Sequence, residues 1–133
     1  MRIPSRAILG ASAAFLAGCS AIDSIGGVAC TLELRSTIVV SVTDARTGAP
    51  AASGATVIVR GGAVYDSVVV STATPAATVA YMAWEDRVKK GRYSVEVRKP
   101  GYVSFLKTDV DVTGDACHSG GGPHLDVALR PAT

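Results

Sequence analysis

The residue types best suited to chemistry are gathered in one stretch near the end of the chain. Asp115 precedes Cys117 and His118, and His124 and Asp126 follow across a glycine-rich loop. Thiolate, imidazole and carboxylate groups are the ligands that zinc takes, usually four of them in tetrahedral geometry. The six-residue spacing of the two histidines permits convergence on a metal but does not impose it. His118 and His124 are therefore weak metal candidates, and we expect a surface loop with no metal or other cofactor.

Two other constellations fall short of a site. Asp109 and Asp111 open a segment that resembles the start of an EF-hand calcium loop, but Gly120 stands where the twelfth ligand should be acidic. Alternation along a strand puts both carboxylates on one face, most simply the solvated one. A hydrolase needs a nucleophile, a base and an orienting group, and neither histidine accompanies a Gly-x-Ser-x-Gly elbow. The sequence predicts that the protein is not an enzyme.

Trp84 is the only tryptophan, and it lies close to Tyr81 and Met82. Exposed aromatic rings stack on sugars or anchor protein partners. Large aromatic side chains usually bury most of their area, so we expect Trp84 to pack in the core at a strand end. If instead Tyr81 and Trp84 lie exposed on one face, they become candidate ligand-binding residues of a carbohydrate-binding module. Tyr102, after Gly101, is predicted to be a core or corner tyrosine.

Residues 1–18 have the organisation of a secretory signal peptide. Arg2 and Arg6 give a positive start without an acidic residue, the run 7–16 is uncharged and mostly apolar, and small residues follow. A membrane-spanning helix is the weaker interpretation, because the uncharged run ends by Asp23 and falls short of about 20 apolar residues. We therefore predict export of the chain from the cytoplasm.

Leu16-Ala17-Gly18-Cys19 stands directly after this apolar run and resembles the lipobox of bacterial lipoproteins at every position. The resemblance implies diacylation of the Cys19 thiol, cleavage between Gly18 and Cys19, and acylation of the new amino terminus. Several acyl chains hold a protein firmly to a bilayer, whereas one chain binds only marginally. Ser20, in place of an aspartate, implies the outer membrane. The alternative is ordinary cleavage that leaves Cys19 as a free thiol.

Three cysteines are an odd number for an exported chain. Lipidation of Cys19 leaves Cys30 and Cys117, and an oxidising envelope favours their pairing. Two separate buried thiols are the alternative. Residues 19–29 then form the lipidated cysteine and its tether, whose roughly ten residues reach at most about 35 Å. The domain at residues 30–133 would sit close to the membrane, with its Cys30 end nearest.

The charge balance argues against a nucleic-acid partner. The formal net charge is +2, and Arg2 and Arg6 in the predicted signal peptide account for all of it. The remaining chain has no net positive charge, so it lacks the electrostatic footprint of nucleic-acid binding. The basic cluster 89–92 is predicted to be a solvated turn.

Period-two alternation dominates the rest of the chain. It is clearest over 91–98, where Tyr93, Val95 and Val97 alternate with polar residues. Six further apolar or β-branched runs are bounded by glycine, proline and polar turns: 38–43, 56–60, 65–71, 78–84, an interrupted 102–113, and 125–129. No long helix is indicated. The pattern predicts an all-β, antiparallel sandwich of about seven strands.

Five short motifs follow one another in order along this region: Thr47-Gly48-Ala49-Pro50, Gly54-Ala55-Thr56-Val57, Gly91-Arg92-Tyr93-Ser94-Val95, Gly101-Tyr102 and Val127-Ala128-Leu129-Arg130-Pro131. In this order and spacing they resemble a carboxypeptidase regulatory-like domain over residues 38–131. The resemblance implies a Greek-key sandwich of the transthyretin-like, or prealbumin-like, fold. In larger proteins this module accompanies a catalytic or transport domain, which implies that here it assists a separate chain.

The patterns together predict a lipid-anchored, non-catalytic β-sandwich of the cell envelope, placed at the outer membrane. We expect it to act as a binding or structural accessory module for another envelope protein or for a glycan. A carbohydrate-binding module is the first alternative, and a metal site in the 115–126 loop is the second.

Overall fold

The computed structural model describes residues 30–118 and 120–133. The predicted signal peptide, Cys19 and the tether lie outside the described residues. Within these two ranges the chain forms seven strands and no helix, which confirms the all-β prediction. No helix in the described part is long and apolar enough to cross a membrane.

The strands follow the predicted runs and differ from them mainly at their ends. They are β1 (Ser36–Asp44), β2 (Thr56–Gly61), β3 (Val64–Val69), β4 (Val79–Trp84), β5 (Gly91–Arg98), β6 (Phe105–Val112) and β7 (His124–Leu129). The largest difference is in β6, which begins later than the predicted run over 102–113. Tyr102 instead makes an isolated bridge with Pro131.

The strands form two sheets that pack in a sandwich-like arrangement. The order is β4-β1-β7 in the three-stranded sheet and β3-β2-β5-β6 in the four-stranded sheet. All pairs are antiparallel except β1 and β7, which run parallel. The prediction of a wholly antiparallel sandwich is wrong for this pair. A parallel pair needs a long connection, and here the five strands between β1 and β7 supply it without a crossover helix.

The core lies between the sheets and consists of the inward-facing residues of alternating strands. Ile38, Val40 and Val42 on β1 and Val95 and Val97 on β5 are fully buried, as their alternation predicts. Burying one such side chain contributes about 1.5–3 kcal/mol relative to leaving it exposed.

Some core residues come from outside the strands, among them Ala51, Ala52 and Ala55 before β2. Val88, in the polar segment between β4 and β5, is fully buried. The amide groups of Arg87 and Val88 both donate to the Trp84 carbonyl at 3.0 Å, so this segment is a single tight turn. The turn carries Val88 into the core, although a lone valine among polar residues gives no periodic signal.

The start of β1 is irregular where it meets the glycine-rich loop. Thr37 and Ile38 are both buried, because the pairing with β4 shifts between Ser36 and Ile38. Gly122 packs on this bulge so closely that a Cβ there would overlap the Thr37 carbonyl oxygen. The loop before β7 is therefore held against the point where the chain enters the domain.

Candidate functional site

Cys30 and Cys117 form the predicted disulfide, with their Cα atoms 5.3 Å apart. The bond joins the first described residue to the loop that precedes β7, across 87 positions of the chain. The entry point of the chain is thus covalently fastened to the domain.

His118 joins the same two segments a second time. The residue is 7 % exposed, with Nδ1 lying 3.1 Å from Glu85 Oε1 and Nε2 lying 3.1 Å from Thr31 Oγ1. Each ring nitrogen of His118 therefore has a side-chain partner, Glu85 at Nδ1 and Thr31 at Nε2. The hydroxyl, imidazole and carboxylate groups stand in the order of a hydrolytic triad, and the imidazole between the other two groups is buried. We interpret His118 as a clamp on the entering chain.

Asp115 closes the loop that carries the disulfide. Its Oδ1 accepts hydrogen bonds from the amide groups of His118 at 2.7 Å and Cys117 at 2.8 Å. These two backbone hydrogen bonds hold the pKa of the Asp115 carboxyl below its ordinary value. The loop is thereby fixed by its own side chain as well as by the sulfur bridge.

The structure does not assemble the weak metal site considered for this loop. Cys117 is in the disulfide, both ring nitrogens of His118 have partners, and His124 contacts different residues. Among residues 30–118 and 120–133, no group of three or more His, Cys, Asp and Glu side chains is placed to hold a metal ion. Asp109 and Asp111 of the calcium-like segment are both exposed.

His124 is part of an exposed group on the outer face of the three-stranded sheet. Its Nε2 lies 2.7 Å from Ser41 Oγ and 3.6 Å from Asp126 Oδ1. A catalytic triad needs the carboxylate on the nitrogen opposite the hydroxyl, so that it orients the ring. Here both contacts meet at Nε2, which makes this a surface hydrogen-bonding group.

Tyr81 is buried, so the proposed aromatic pair does not form. The residue is 3 % exposed, and its hydroxyl donates to Asp66 Oδ2 at 2.9 Å. Arg87 Nη1 lies 3.4 Å from the same oxygen. Burial, together with the bond to Asp66, raises the pKa of Tyr81. This hydrogen bond links β4 of one sheet to β3 of the other and has a structural role.

Trp84 is 43 % exposed, and the expectation that it packs in the core is wrong. It pairs with Ser36, and Met82 pairs with Val39. Residues two apart on a strand share a face, so Trp84 and the exposed Met82 both lie on the outer face of the three-stranded sheet. A register shift before Tyr81 lets Ala80 and Tyr81 both turn inward, and alternation then places Trp84 outside.

A shallow depression of about 280 Å³ lies where the β2–β3 hairpin meets the β4–β5 turn. It is lined by Ala63, Val64, Tyr65, Asp66, Arg87 and Val88. Asp66 and Arg87 give the depression a carboxylate and a guanidinium. The Tyr65 ring instead lies on the outer face of the sheet, where the Arg60 guanidinium is 5.5 Å from its centroid. Sequence reasoning missed the depression because its residues come from two separate connections.

The outer face of the four-stranded sheet centres on Glu96. Arg98 Nε lies 2.6 Å and Arg60 Nη1 lies 3.1 Å from its carboxylate oxygens. The hydrogen bond from Arg98, followed by that from Arg60, lowers the pKa of Glu96. Three exposed apolar or aromatic side chains accompany this group, namely Tyr65, Val69 and Leu106, and together these six residues are called the Glu96 face below.

Tyr102 fastens the loop after β5 to the end of β1, as expected of a corner tyrosine. Its hydroxyl donates to Asp44 Oδ2 at 2.8 Å. Asp44 Oδ1 also accepts from the amide groups of Arg46 at 2.8 Å and Thr47 at 3.0 Å. The hydrogen bond from Tyr102 is the main reason that the pKa of Asp44 is lowered.

No protein-family model matches the chain, and no curated protein matches it. The resemblance to carboxypeptidase regulatory-like domains therefore depends on the five short motifs in the sequence.

Proposed function

We propose that the chain is a lipid-anchored β-sandwich of the bacterial cell envelope that serves another envelope protein as a non-catalytic binding or structural accessory module. The Glu96 face is the observation that carries this proposal. We further propose the Greek-key, transthyretin-like topology of carboxypeptidase regulatory-like domains, which the order of the five motifs and the two-sheet arrangement support.

The composition of the Glu96 face is that of a protein-binding surface. Tyrosine and arginine are enriched among the residues that dominate binding energy at interfaces. Glu96 orients both guanidinium groups, so less side-chain freedom is lost when a partner binds. The remaining N–H groups of Arg60 and Arg98 are available to carboxylates, and Tyr65 and Leu106 offer apolar area. The arginines lie on the two middle strands and the apolar side chains on the two edge strands, so the proposed partner surface is acidic at its centre and apolar at its rim.

The lipid anchor is proposed from the resemblance of residues 16–19 to a lipobox. The disulfide at Cys30 and the clamp by His118 hold the first residues of the domain in place. A tether of roughly ten residues from Cys19 would then keep the Cys30 end of the domain close to the membrane.

The partner is tested by photo-crosslinking in intact cells. A photoreactive residue is placed at Tyr65 or Leu106, with exposed Lys90 as the matched control position. The proposal expects one defined adduct from Tyr65 and Leu106 and none from Lys90. Adducts from none of these positions, or equally from all of them, would contradict it.

The anchor is tested separately with Cys19→Ser. This variant should lose metabolic acyl label and should leave the membrane fraction, because no thiol remains for the diacylglyceryl group. Retention of both label and membrane fractionation would show that the lipobox interpretation is wrong.

A carbohydrate-binding role is the second candidate, and the depression at Asp66 and Arg87 is the observation that favours it. A carboxylate and a guanidinium side by side suit hydrogen bonding to the hydroxyl groups of a sugar. Arg87→Gln should abolish glycan binding in isothermal titration, whereas Arg92→Gln, at an exposed position outside the depression, should leave it intact. Equal effects of both variants would contradict this candidate.

A further inference from the structure

Exposed apolar side chains are gathered where the chain enters the domain. Leu32 is fully exposed, Leu34 is 61 % exposed, and Met82 and Trp84 are each nearly half exposed. These four residues are called the entry surface. Large apolar side chains brought together on one face commonly mark a contact with another molecule or with lipid.

Pairing between β1 and β4 brings Leu34 close to Trp84, and Leu32 lies two residues before Leu34. Trp84 lies opposite Ser36, and the Glu85 amide donates to the Arg35 carbonyl at 3.2 Å, so the antiparallel contact continues toward Leu34. Leu34 precedes Ser36 by two residues and, in extended backbone, lies on the same face as Trp84. The entry surface is thus the outer face of the three-stranded sheet at its Cys30 end.

The segment that carries the two leucines is held and is not a free tail. Cys30 is bound to Cys117, Thr31 is bound to His118, and the Arg35 carbonyl is bound to the Glu85 amide. Leu32 and Leu34 lie between these fixed points. Their side chains are exposed, although the backbone on either side is held by these contacts.

The charges beside the entry surface are predominantly acidic. The Arg35 guanidinium lies 3.8 Å from the Glu33 carboxylate and 3.9 Å from the Asp115 carboxylate. Glu85 and Asp86 follow Trp84 directly. The surface consequently offers apolar contact without an excess of basic side chains to attract anionic headgroups.

We propose that the entry surface rests on the lipid bilayer, with the Trp84 ring in the headgroup region. This inference rests on the proposed lipid anchor, because a tether of at most about 35 Å keeps the Cys30 end beside the membrane. Tryptophan is enriched at membrane–water interfaces, where its ring meets the apolar layer and its N–H meets water. The domain would then have a defined orientation, with the Cys30 end of the three-stranded sheet against the bilayer.

Trp84 reports directly on this contact because it is the only tryptophan. The acylated, mature protein is reconstituted into phosphatidylcholine vesicles whose acyl chains carry bromine close to the headgroups. The proposal expects strong quenching of Trp84 emission by the brominated lipid and protection from aqueous acrylamide. Full emission together with unhindered acrylamide quenching, in protein that sediments with the vesicles, would overturn it.

Two double variants separate the entry surface from a general effect of lost apolar area. Leu32→Ser with Leu34→Ser should reduce lipid quenching and restore access of acrylamide. Val79→Ser with Val103→Ser removes exposed apolar side chains that lie outside the entry surface and should leave both signals unchanged. Equal behaviour of the two variants would contradict the assignment of the surface.

The sedimentation readout distinguishes this proposal from the anchor on which it rests. Protein that carries no acyl label and does not sediment contradicts the anchor, whereas sedimenting protein with unquenched Trp84 contradicts only the contact between the entry surface and the bilayer.

Vesicles rich in phosphatidylglycerol provide a further test of this contact. The acidic residues beside the surface should weaken quenching there, and added salt should restore it. Stronger quenching on anionic lipid at low salt would contradict the proposed contact.

Discussion

Replacement of both Cys30 and Cys117 by serine should substantially lower the free energy of unfolding. The disulfide spans 87 positions, so in the unfolded chain it closes a loop that contains nearly the whole domain. In the chain-entropy treatment, a loop of this length stabilises the folded protein by about 4–5 kcal/mol at 25 °C.

The native state recovers part of this loss. Without the bridge, the residues around Cys30 are retained by the Thr31–His118 hydrogen bond, which contributes about 1 kcal/mol. Fixing the backbone of one residue costs about 1–2 kcal/mol of conformational entropy, so the first residues of the segment can fray with little net cost. We therefore expect a measured destabilisation of about 3–5 kcal/mol, equivalent to a fall of roughly 12–25 °C in Tm for a domain of this size.

Urea unfolding followed by circular dichroism measures this effect. The reference is the mature chain with Cys19→Ser, which removes the acyl group and the third thiol, and the test chain adds Cys30→Ser and Cys117→Ser. The m-value should also rise, because an unfolded chain without the cross-link exposes more surface. Dithiothreitol should destabilise the reference to the level of the test chain and leave the test chain unchanged.

A small effect would refute this reasoning. A loss below about 1 kcal/mol with an unchanged m-value would mean that the bridge does not restrict the unfolded chain as the loop-entropy argument requires.

Two further predictions concern the loops at the two ends of β1. Gly122→Ala should destabilise the domain by about 3 kcal/mol or more, because its Cβ would meet the Thr37 carbonyl, which is fixed backbone. The control Gly62→Ala, which has open space but a φ of +56°, should lower the free energy of unfolding by only about 1 kcal/mol. Equal losses in urea unfolding would contradict the close packing of Gly122. Tyr102→Phe removes the hydrogen bond that lowers the pKa of Asp44. A lowered carboxyl pKa stabilises above the unfolded pKa near 3.8, and this stabilisation is lost as pH falls through the folded pKa. The variant should therefore lose stability at neutral pH and have a flatter acid limb in a pH series, and a parallel curve would contradict the role of Tyr102.

The strands could be predicted because one face of each is buried and the other is wet. Tyr93, Val95 and Val97 carry that pattern in β5, and all three are buried. The pattern weakens in β6, where Asp109 has a left-handed backbone with φ 54°. The pairing with β5 also shifts between Tyr93 and Val95, so the run over 102–113 does not show where the strand begins.

The parallel pairing of β1 with β7 could not be predicted in the same way. Alternation of apolar and polar residues indicates which face of a strand is buried. The alternating pattern is the same whether the neighbouring strand is parallel or antiparallel. Which strand lies beside β1, and in which direction, depends on how the two sheets close over one core.

The disulfide could likewise be predicted from the sequence, whereas the contacts of His118 and the depression could not. Cys30 and Cys117 could be paired from their number and the predicted compartment, without knowledge of the fold. The partners of His118 could not be found, because Thr31 and Glu85 lie 87 and 33 positions away in sequence. The depression likewise unites residues of the β2–β3 hairpin with Arg87.

The sequence by itself determined the number and approximate extent of the strands, the disulfide and the expectation of a lipid anchor. Each depends on local residue type, on spacing or on the number of cysteines. Only the tertiary structure decided that Tyr81 is inside and Trp84 outside, that His118 clamps the entering chain, and that Trp84 pairs with Ser36, just after the exposed Leu32 and Leu34. The physical reason is that burial and hydrogen-bond partners arise from register between strands distant in sequence, and a single shift at Ala80 changes which side chains face the core.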